Sequence, residues 1–358
     1  MGGTFFIIEI MMLRIFFGFF LLLSLYACSN SESVFDAVQN RSGVANITLV
    51  ASINGIGDNS YNDQILAGLF RFYEDRGIPF RLLQPDSMGE ADSLVKAWLK
   101  ENVDTDSSML ILASSEYVGL AQKLDVRFTG VGNKVLLFEA DTARLPQGVY
   151  TFSIDRYGAS FLSGAILGIN PCMILVAAPG FASLETSIEG FRKGYDAHKT
   201  IADTLGVDYL TYTENDETAF NNVEFAYVAT FSITNYILDG DRSSAIFPLL
   251  GGAIKGVRRA LIDYPNTGHF MIGMDVDQSG VLPKVPFTLV IDIKGVVIRY
   301  LEEWALGKDW PRFRSFGLGD GAASIVFNKN FDDTKEFEAR YEKYYDEAVR
   351  EEARHAKK

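Results

Sequence analysis

The sequence predicts an α/β protein of two lobes, each built on a parallel β-sheet with helices on both faces. Short apolar runs alternate with segments of helical periodicity from residue 47 onward, which is the pattern of repeated strand–helix units. The alternation occurs as two successive series, and the second begins at Ala159. A chain of 358 residues is also long enough to form two hydrophobic cores.

The first series starts with the apolar run ITLVA at 47–51, which predicts a buried strand ended by the turn residues NGIG at 54–57. Residues 62–73 predict a helix, because their apolar side chains recur with helical spacing. The other predicted elements of this series are strands at 80–83, 109–113, 134–138 and 149–153 and a helix at 91–100.

The second series begins with a predicted helix at 159–167 and a predicted strand at 173–177. Its remaining predicted elements are helices at 185–198, 223–238 and 254–262 and strands at 207–212, 244–247 and 269–274. In open sheets of this kind, ligands bind beyond the carboxyl ends of the strands. The loops after Ala51, Ala113, Ala177, Phe247 and Met274 are therefore the places to search for a site.

The first 27 residues predict a secretory signal peptide, because Arg14 precedes an apolar run at 15–27 that is short for a membrane span. LYAC at 25–28 resembles the lipobox of bacterial lipoproteins. This resemblance implies that Cys28 becomes the first mature residue and carries lipid, with a polar tether at 28–45. The protein is then expected in the bacterial cell envelope, anchored to a membrane. The alternative is an ordinary signal peptide with an incidental cysteine.

Charge and motif content favour a binding protein over an enzyme or a nucleic-acid-binding protein. The formal net charge is -13, and an acidic chain is a poor partner for phosphates. The three histidines lie far apart in the sequence, and no H-E-x-x-H, C-x-x-C, G-x-S-x-G or P-loop pattern occurs. We therefore expect no catalytic residues, no metal site, no cofactor and no nucleic-acid partner.

Four segments at predicted strand ends or helix starts resemble the basic membrane protein family. They are GDNSYN at 57–62, YGASFLSG at 157–164, LGGA at 250–253 and IGMDVDQS at 272–279. The family comprises lipoproteins related to the purine-nucleoside receptor, which feed an ABC transporter. The resemblance implies a type I periplasmic-binding-protein-like fold and a lipid-anchored solute-binding protein. Such a protein captures a nucleoside-like small molecule between its lobes and presents it to an ABC permease.

A ligand sensor or surface lipoprotein without a transporter remains the alternative function. For the implied fold, the chain is expected to cross between the lobes near 152–155, 275–281 and 317–321. Residues 46–153 and 281–318 then form the first lobe, and residues 154–280 and 319–330 form the second. Residues 331–358 predict a charged helix with an aromatic stripe that packs on the body or on a partner; the stripe consists of Phe337, Tyr341, Tyr344 and Tyr345.

The expected ligand contacts come from the motifs and from position. By resemblance, Tyr61 stacks on an aromatic base and Asp275 accepts hydrogen bonds from ribose hydroxyls. Phe181 follows a second-lobe strand and is a candidate for the opposite stacking face. The other candidate ligand-binding residues are Asp58, Asn62, Gly251, Gly252 and Asp277.

Structural interpretations of the same residues stay open. In one alternative, Asp58 or Ser60 only caps the following helix and Tyr61 packs in the core. In another, the two glycines of LGGA form a plain turn without ligand contact. In a third, Asp277 acts at a crossing between the lobes instead of contacting ligand.

Asp292 is a departure from the family pattern. Counted without gaps from Asp275, it occupies the position at which the family has a lysine that helps to hold ribose. Two carboxylates at one site disfavour an anionic ligand. On this interpretation the ligand is not necessarily a purine nucleoside, and another nucleoside, a cationic compound or an unrelated molecule remains an alternative. The alternative is that Asp292 faces solvent.

Overall fold

The computed structural model describes residues 47–53, 55–57, 61–102, 107–124, 133–140, 145–202, 205–214, 216–234, 243–265, 268–332 and 334–357. The predicted signal peptide, Cys28, the predicted tether and Asp58 lie outside these residues. None of the helices within the described ranges is long and apolar enough to cross a membrane. In chain order, the elements are β1 (Ile47–Val50), α1 (Tyr61–Arg76), β2 (Phe80–Leu83), α2 (Met88–Asn102), β3 (Met109–Leu112), α3 (Val118–Ala121), β4 (Lys134–Phe138), β5 (Val149–Ile154), α4 (Tyr157–Leu167), β6 (Cys172–Val176), α5 (Ala182–His198), β7 (Gly206–Tyr209), α6 (Val223–Ser232), β8 (Ala245–Leu249), α7 (Ile254–Asp263), β9 (Phe270–Met271), β10 (Gly273–Asp275), β11 (Phe287–Ile291), α8 (Ile293–Ala305), β12 (Phe313–Phe316), β13 (Ala323–Phe327) and α9 (Thr334–His355).

The first lobe is built on a parallel sheet with the strand order β2-β1-β3-β4-β5-β12. Alternate residues of β1 contribute to two separate cores: Leu49 packs in the cluster that contains the α1 side chains, and Val50 packs in the cluster that contains α2. Burial on both faces explains why this strand has a continuous apolar sequence. The predicted arrangement of helices on both faces is confirmed.

The second lobe contains two groups of strands that meet along one edge. The strands β7-β6-β8-β9 are parallel, while β10-β11-β13 contains one parallel and one antiparallel pair. Only Ile272 separates β9 from β10, and its N–H donates to Ile246 O at 2.9 Å. The second sheet therefore continues from β9 into β10 and on to β11.

The structure corrects one predicted lobe boundary. Residues 281–318 were assigned to the first lobe from the sequence, but β11 pairs with β10 and β13 of the second lobe. Helix α8, in contrast, packs against α1 of the first lobe. The chain therefore returns to the first lobe at Asp292, rather than at 275–281. The apolar run FTLVI of β11 suits either sheet, so the sequence alone does not indicate its partner.

Helix α9 lies against α4 of the second lobe. Phe337 and Tyr344 of its aromatic stripe are buried, while Tyr341 and Tyr345 are partly buried against the same core. The Arg340 guanidinium also donates to backbone carbonyl oxygens at the C-terminal ends of α4 and α5. The body of the protein is thus the surface on which this stripe packs.

Candidate functional site

A cavity of about 640 Å³ lies where strand ends of the first lobe approach loops of the second lobe. On the first-lobe side, its walls come from the loops that follow β1, β3 and β4. On the second-lobe side, they come from residues 220–221 and from the turn at 251–255. The lining residues are Ser52, Gly57, Tyr61, Ala113, Ser114, Ser115, Phe138, Glu139, Phe220, Asn221, Gly251, Gly252 and Lys255.

Tyr61 begins α1 and lines this cavity while also contacting the core. Its ring packs edge-on against Phe138, with the ring centroids 5.4 Å apart. Its hydroxyl oxygen accepts a hydrogen bond from Arg156. Burial raises the pKa of the Tyr61 phenol above its ordinary value, and the positive charge of Arg156 opposes this effect. Tyr61 therefore presents a neutral aromatic ring whose orientation is fixed by both a neighbour and a hydrogen bond.

Asn62 is fully buried and holds the loop after β1 in place. Its Oδ1 accepts from the Ser52 N–H at 3.0 Å, and its Nδ2 donates to Ser52 Oγ and to Gly55 O, both at 2.8 Å. Asn62 is not among the cavity-lining residues. The structure places it behind the site, where it shapes the loop that carries Ser52.

Glu139 and Asp275 occupy strained backbone conformations at the ends of β4 and β10. Their φ angles are 41° and 67°, and they are the non-glycine residues with positive φ among those that the structure describes. Such conformations cost on the order of 1–3 kcal/mol each, and they cluster at functional sites. Glu139 lines the large cavity, and Asp275 lines a smaller one beside it.

Arg156 joins this cluster from the segment between β5 and α4. It donates to Glu139 Oε1 at 3.3 Å and to Ile154 O at 3.1 Å, in addition to the Tyr61 hydroxyl. The Ile154 N–H also donates to Glu139 Oε1, at 3.1 Å. The Oε1 atom of Glu139 is therefore held by two donors of the protein.

Asp275 differs from Glu139 because its carboxylate makes no hydrogen bond to any described residue. Burial raises the pKa of Asp275 above its ordinary value; Arg156 opposes this rise, and Glu139 adds to it. An ionised carboxylate accepts hydrogen bonds only. Asp275 therefore provides an available acceptor for hydroxyl or amino groups.

The Gly251–Gly252 turn separates the two cavities and contributes to the walls of both. Gly251 has a φ of +53°, and a Cβ there would lie 3.2 Å from Phe220 Cδ1. A Cβ on Gly252 would lie 3.0 Å from Asn221 Oδ1. Backbone geometry and this close approach to the cavity-lining segment 220–221 both favour glycine.

The smaller cavity measures about 290 Å³, and charged residues of both signs line it. Lys255 and Arg258 come from α7, and neither forms an ion pair with a described residue. Asp277 lies exposed in the loop after β10, and its Oδ1 accepts from the Ser279 N–H at 2.9 Å. The structure thus brings Asp277 near Asp275 but outside the larger cavity.

Like Asn62, the sequence candidates Phe181 and Asp292 lie away from these cavity walls. Phe181 precedes α5 and packs edge-on against Phe220, with a centroid distance of 5.0 Å, so Phe220 is the ring that lines the cavity. Asp292 caps α8: its Oδ1 accepts from the Gly295 N–H at 2.8 Å. Asp292 lines neither cavity, and the structure places its carboxylate at the helix terminus, so a role in the charge of the ligand site stays a prediction.

Sequence reasoning missed Glu139, Arg156 and Phe220. A usable signal existed for the first two, since Glu139 follows a predicted strand at 134–138 and Arg156 follows one at 149–153. Applying the strand-end rule to these strands as well would have identified both. Phe220 lies in a 3₁₀ turn between β7 and α6, where no pattern marks a site.

No protein-family model matches the chain, and no curated protein matches it in sequence. Solved structures do resemble it. An ABC transporter system solute-binding protein from Aeropyrum pernix K1 aligns with a TM-score of 0.62 and 14% identity, over 86% of this chain and 89% of that chain. A transcriptional activator of the comK gene from Bacillus halodurans gives a TM-score of 0.63 and 14% identity, over 84% and 96%. An ABC transporter periplasmic solute binding protein from Actinobacillus succinogenes 130z, with bound D-allose, gives a TM-score of 0.56 and 14% identity, over 79% and 98%.

This level of identity shows the fold and not the ligand. The chain has the type I periplasmic-binding-protein-like fold, with parallel sheets flanked by helices in two lobes. The candidate site lies at the carboxyl ends of the strands, where ligands bind in open α/β sheets.

Proposed function

We propose that this protein is a lipid-anchored solute-binding protein that captures a nucleoside-like small molecule between its lobes for an ABC transporter. The observation that carries the proposal is the cavity between the lobes, with the available carboxylate of Asp275 beside it. A strained backbone at Glu139 and Asp275 supports a functional origin for this arrangement. Ligand binding alone, with no chemical reaction, accounts for the residues of the site.

The chemistry of the cavity suits a nucleoside. The rings of Tyr61, Phe138 and Phe220 offer apolar faces and edges to an aromatic base, and the amide of Asn221 offers both a donor and an acceptor to its edge. The Asp275 carboxylate suits hydroxyl groups of a ribose. The cavity volume of about 640 Å³ falls within the roughly 300–1,000 Å³ of small-ligand sites.

Membership of the basic membrane protein family belongs to the same proposal. Its support is that three of the four matching segments contribute to the two cavity walls, through Tyr61, Gly251, Gly252 and Asp275. These segments are far apart in the sequence and share no structural element. Their convergence on one site is what a common ligand-binding role requires.

The anchor and the location follow from the sequence alone. LYAC at 25–28 supports lipid on Cys28, and this lipid would hold the mature protein at a membrane of the bacterial cell envelope. Ligand would close the two lobes around itself by motion at the three crossings, and the closed form would engage a permease.

Calorimetric titration of the full chain with a panel of solutes tests the ligand assignment. The panel contains inosine, adenosine, guanosine, uridine, D-ribose and D-allose. We expect nucleosides to bind more tightly than either sugar, because only nucleosides use the aromatic rings. Tighter binding of the free sugars would overturn the nucleoside assignment, and a failure of all six to bind would overturn the solute class.

A ligand sensor is the second candidate, because the fold also resembles that of the Bacillus halodurans transcriptional activator. Uptake of a radiolabelled nucleoside by cells with and without the gene separates the two functions. Loss of uptake in the deletion supports transport. Unchanged uptake by a strain whose protein still binds the nucleoside supports sensing.

A further inference from the structure

Arg156 lies at the base of the cleft, two residues after β5 and at the first crossing between the lobes. Its side chain is only 11% exposed. The guanidinium donates to Tyr61 and to Glu139, both of which line the large cavity. Arg156 is not itself among the cavity-lining residues. Arg156 thus holds the Tyr61 ring and the Glu139 carboxylate in place from outside the cavity lining.

The charges of this cluster do not cancel. Arg156 interacts electrostatically with the carboxylates of both Glu139 and Asp275, so the three groups carry one excess negative charge when all are ionised. Glu139 is hydrogen-bonded to Arg156 and to the backbone, whereas Asp275 makes no hydrogen bond to a described residue. The uncompensated charge therefore belongs chiefly to Asp275.

Arg156 affects Asp275 through charge. Burial favours the neutral form of the Asp275 carboxyl and Glu139 adds to this effect, while Arg156 favours the ionised form. The other charged groups around Asp275 line the small cavity: Lys255 and Arg258 from α7, and Asp277 from the loop after β10.

We propose that Arg156 is a positioning residue that makes the site selective for a neutral, hydroxyl-rich ligand. This inference rests on the proposed function and adds the charge class of its ligand. Arg156 holds Tyr61 and Glu139 in place, and its charge favours the ionised, hydrogen-bond-accepting form of Asp275. Together with Lys255, Arg258 and Asp277 of the cavity walls, Arg156, Glu139 and Asp275 make a set of three positive and three negative groups, so the site favours neither a ligand cation nor a ligand anion.

The test measures three related probes with four proteins. The probes are adenosine, which is neutral; 5′-amino-5′-deoxyadenosine, which is cationic; and adenosine 5′-monophosphate, which is anionic. The proteins are the wild type, Arg156→Gln, Arg156→Lys and the control Arg71→Gln. Arg71 is exposed on α1 and pairs with Asp75 at 2.9 Å, so its substitution makes the same charge change away from the site. Affinities are measured by calorimetry from pH 5 to pH 8.

We expect wild type to bind adenosine more tightly than either charged probe. In Arg156→Gln, adenosine binding should weaken about 10-fold or more, and the ratio of amine affinity to adenosine affinity should rise about 10-fold. Arg156→Lys should restore that ratio but only part of the adenosine affinity, because a lysine does not provide the bidentate fork that joins Tyr61 and Glu139. Arg71→Gln should behave as wild type.

The pH profile separates charge selection from simple structural support. Without Arg156, adenosine binding should be lost on acidification at a higher pH than in wild type, because Asp275 loses the positive charge that favours its ionised form. An equal loss of affinity for all three probes with an unchanged pH profile would overturn the inference and leave the proposed function standing. If wild type binds none of these probes, the inference falls, and the proposed function falls with it only if the six solutes of the calorimetric panel also fail to bind.

Discussion

Glu352 of α9 is expected to make the stability of this protein fall as the pH rises from 4.5 to about 7, and replacement by glutamine should remove most of that dependence. Its carboxylate accepts from the Leu318 N–H at 2.9 and 3.1 Å and from the Gly158 N–H at 3.1 Å. Gly158 follows the first crossing between the lobes, and Leu318 lies in the third. One side chain of the C-terminal helix therefore joins two crossings.

The Glu352 carboxylate packs closely against two glycines, Gly158 and Gly317, and leaves no room for a side chain at either position. A Cβ on Gly158 would lie 2.4 Å from Oε2, and a Cβ on Gly317 would lie 2.2 Å from Oε1. Burial raises the pKa of Glu352 from 4.5 to about 7, against the effect of the backbone hydrogen bonds, and the charge of Asp155 adds to the rise. For Glu352, the desolvation that raises the pKa thus outweighs the backbone hydrogen bonds that lower it.

The direction of the pH dependence follows from whether the folded or the unfolded chain binds the proton. Between pH 4.5 and about 7, folded Glu352 holds a proton that the unfolded chain has released. The free energy of unfolding therefore falls as the pH rises through this interval, and the stabilisation is complete only below about pH 4.5. At about 1.36 kcal/mol per pKa unit, the full interval corresponds to about 3.4 kcal/mol. Partial contact with water screens the charge, so we expect about 2 kcal/mol.

Urea denaturation at pH 5, 6, 7 and 8 measures this dependence. Glu352→Gln should show a free energy of unfolding that changes with pH by about 2 kcal/mol less than in wild type. Glu342→Gln is the matched control, because Glu342 is exposed on the same helix. A parallel pH dependence in wild type and Glu352→Gln would refute the argument that desolvation governs this carboxyl.

Three further predictions concern the ligand site, the anchor and a helix terminus. Tyr61→Ala should weaken nucleoside binding by about 5- to 150-fold, since base stacking contributes about 1–3 kcal/mol; unchanged calorimetric affinity in a folded variant would limit Tyr61 to a packing role. Cys28→Ser should leave the protein in the soluble fraction, or uncleaved in the membrane fraction, and a processed but membrane-bound variant would contradict lipidation. Asp292→Ala should lower the free energy of unfolding by about 1 kcal/mol through loss of the α8 cap. It should leave nucleoside affinity unchanged, and weaker binding would return Asp292 to the site.

Much of the fold was predictable because strands and helices carry their own periodicity. The continuous apolar sequence of β1 indicated burial on both faces, and the aromatic stripe of α9 indicated a packed helix. β11 was assigned to the wrong lobe because a short apolar run carries no information about its pairing partner. Only its hydrogen bonds to β10 and β13 place it in the second sheet.

The residues that line the two cavities were predictable where a motif coincided with a strand end, as at Tyr61, at the Gly251–Gly252 turn and at Asp275. These positions could be inferred from local sequence, because the carboxyl ends of parallel strands share one edge of a sheet. The hydrogen bond from Arg156 to Tyr61, 95 residues away, and the cap that Asp292 forms on α8 became visible in the folded structure alone. Local patterns reflect local backbone geometry and burial. Contacts between distant segments depend on how the sheets pair, and a single sequence does not encode that pairing in any short-range pattern.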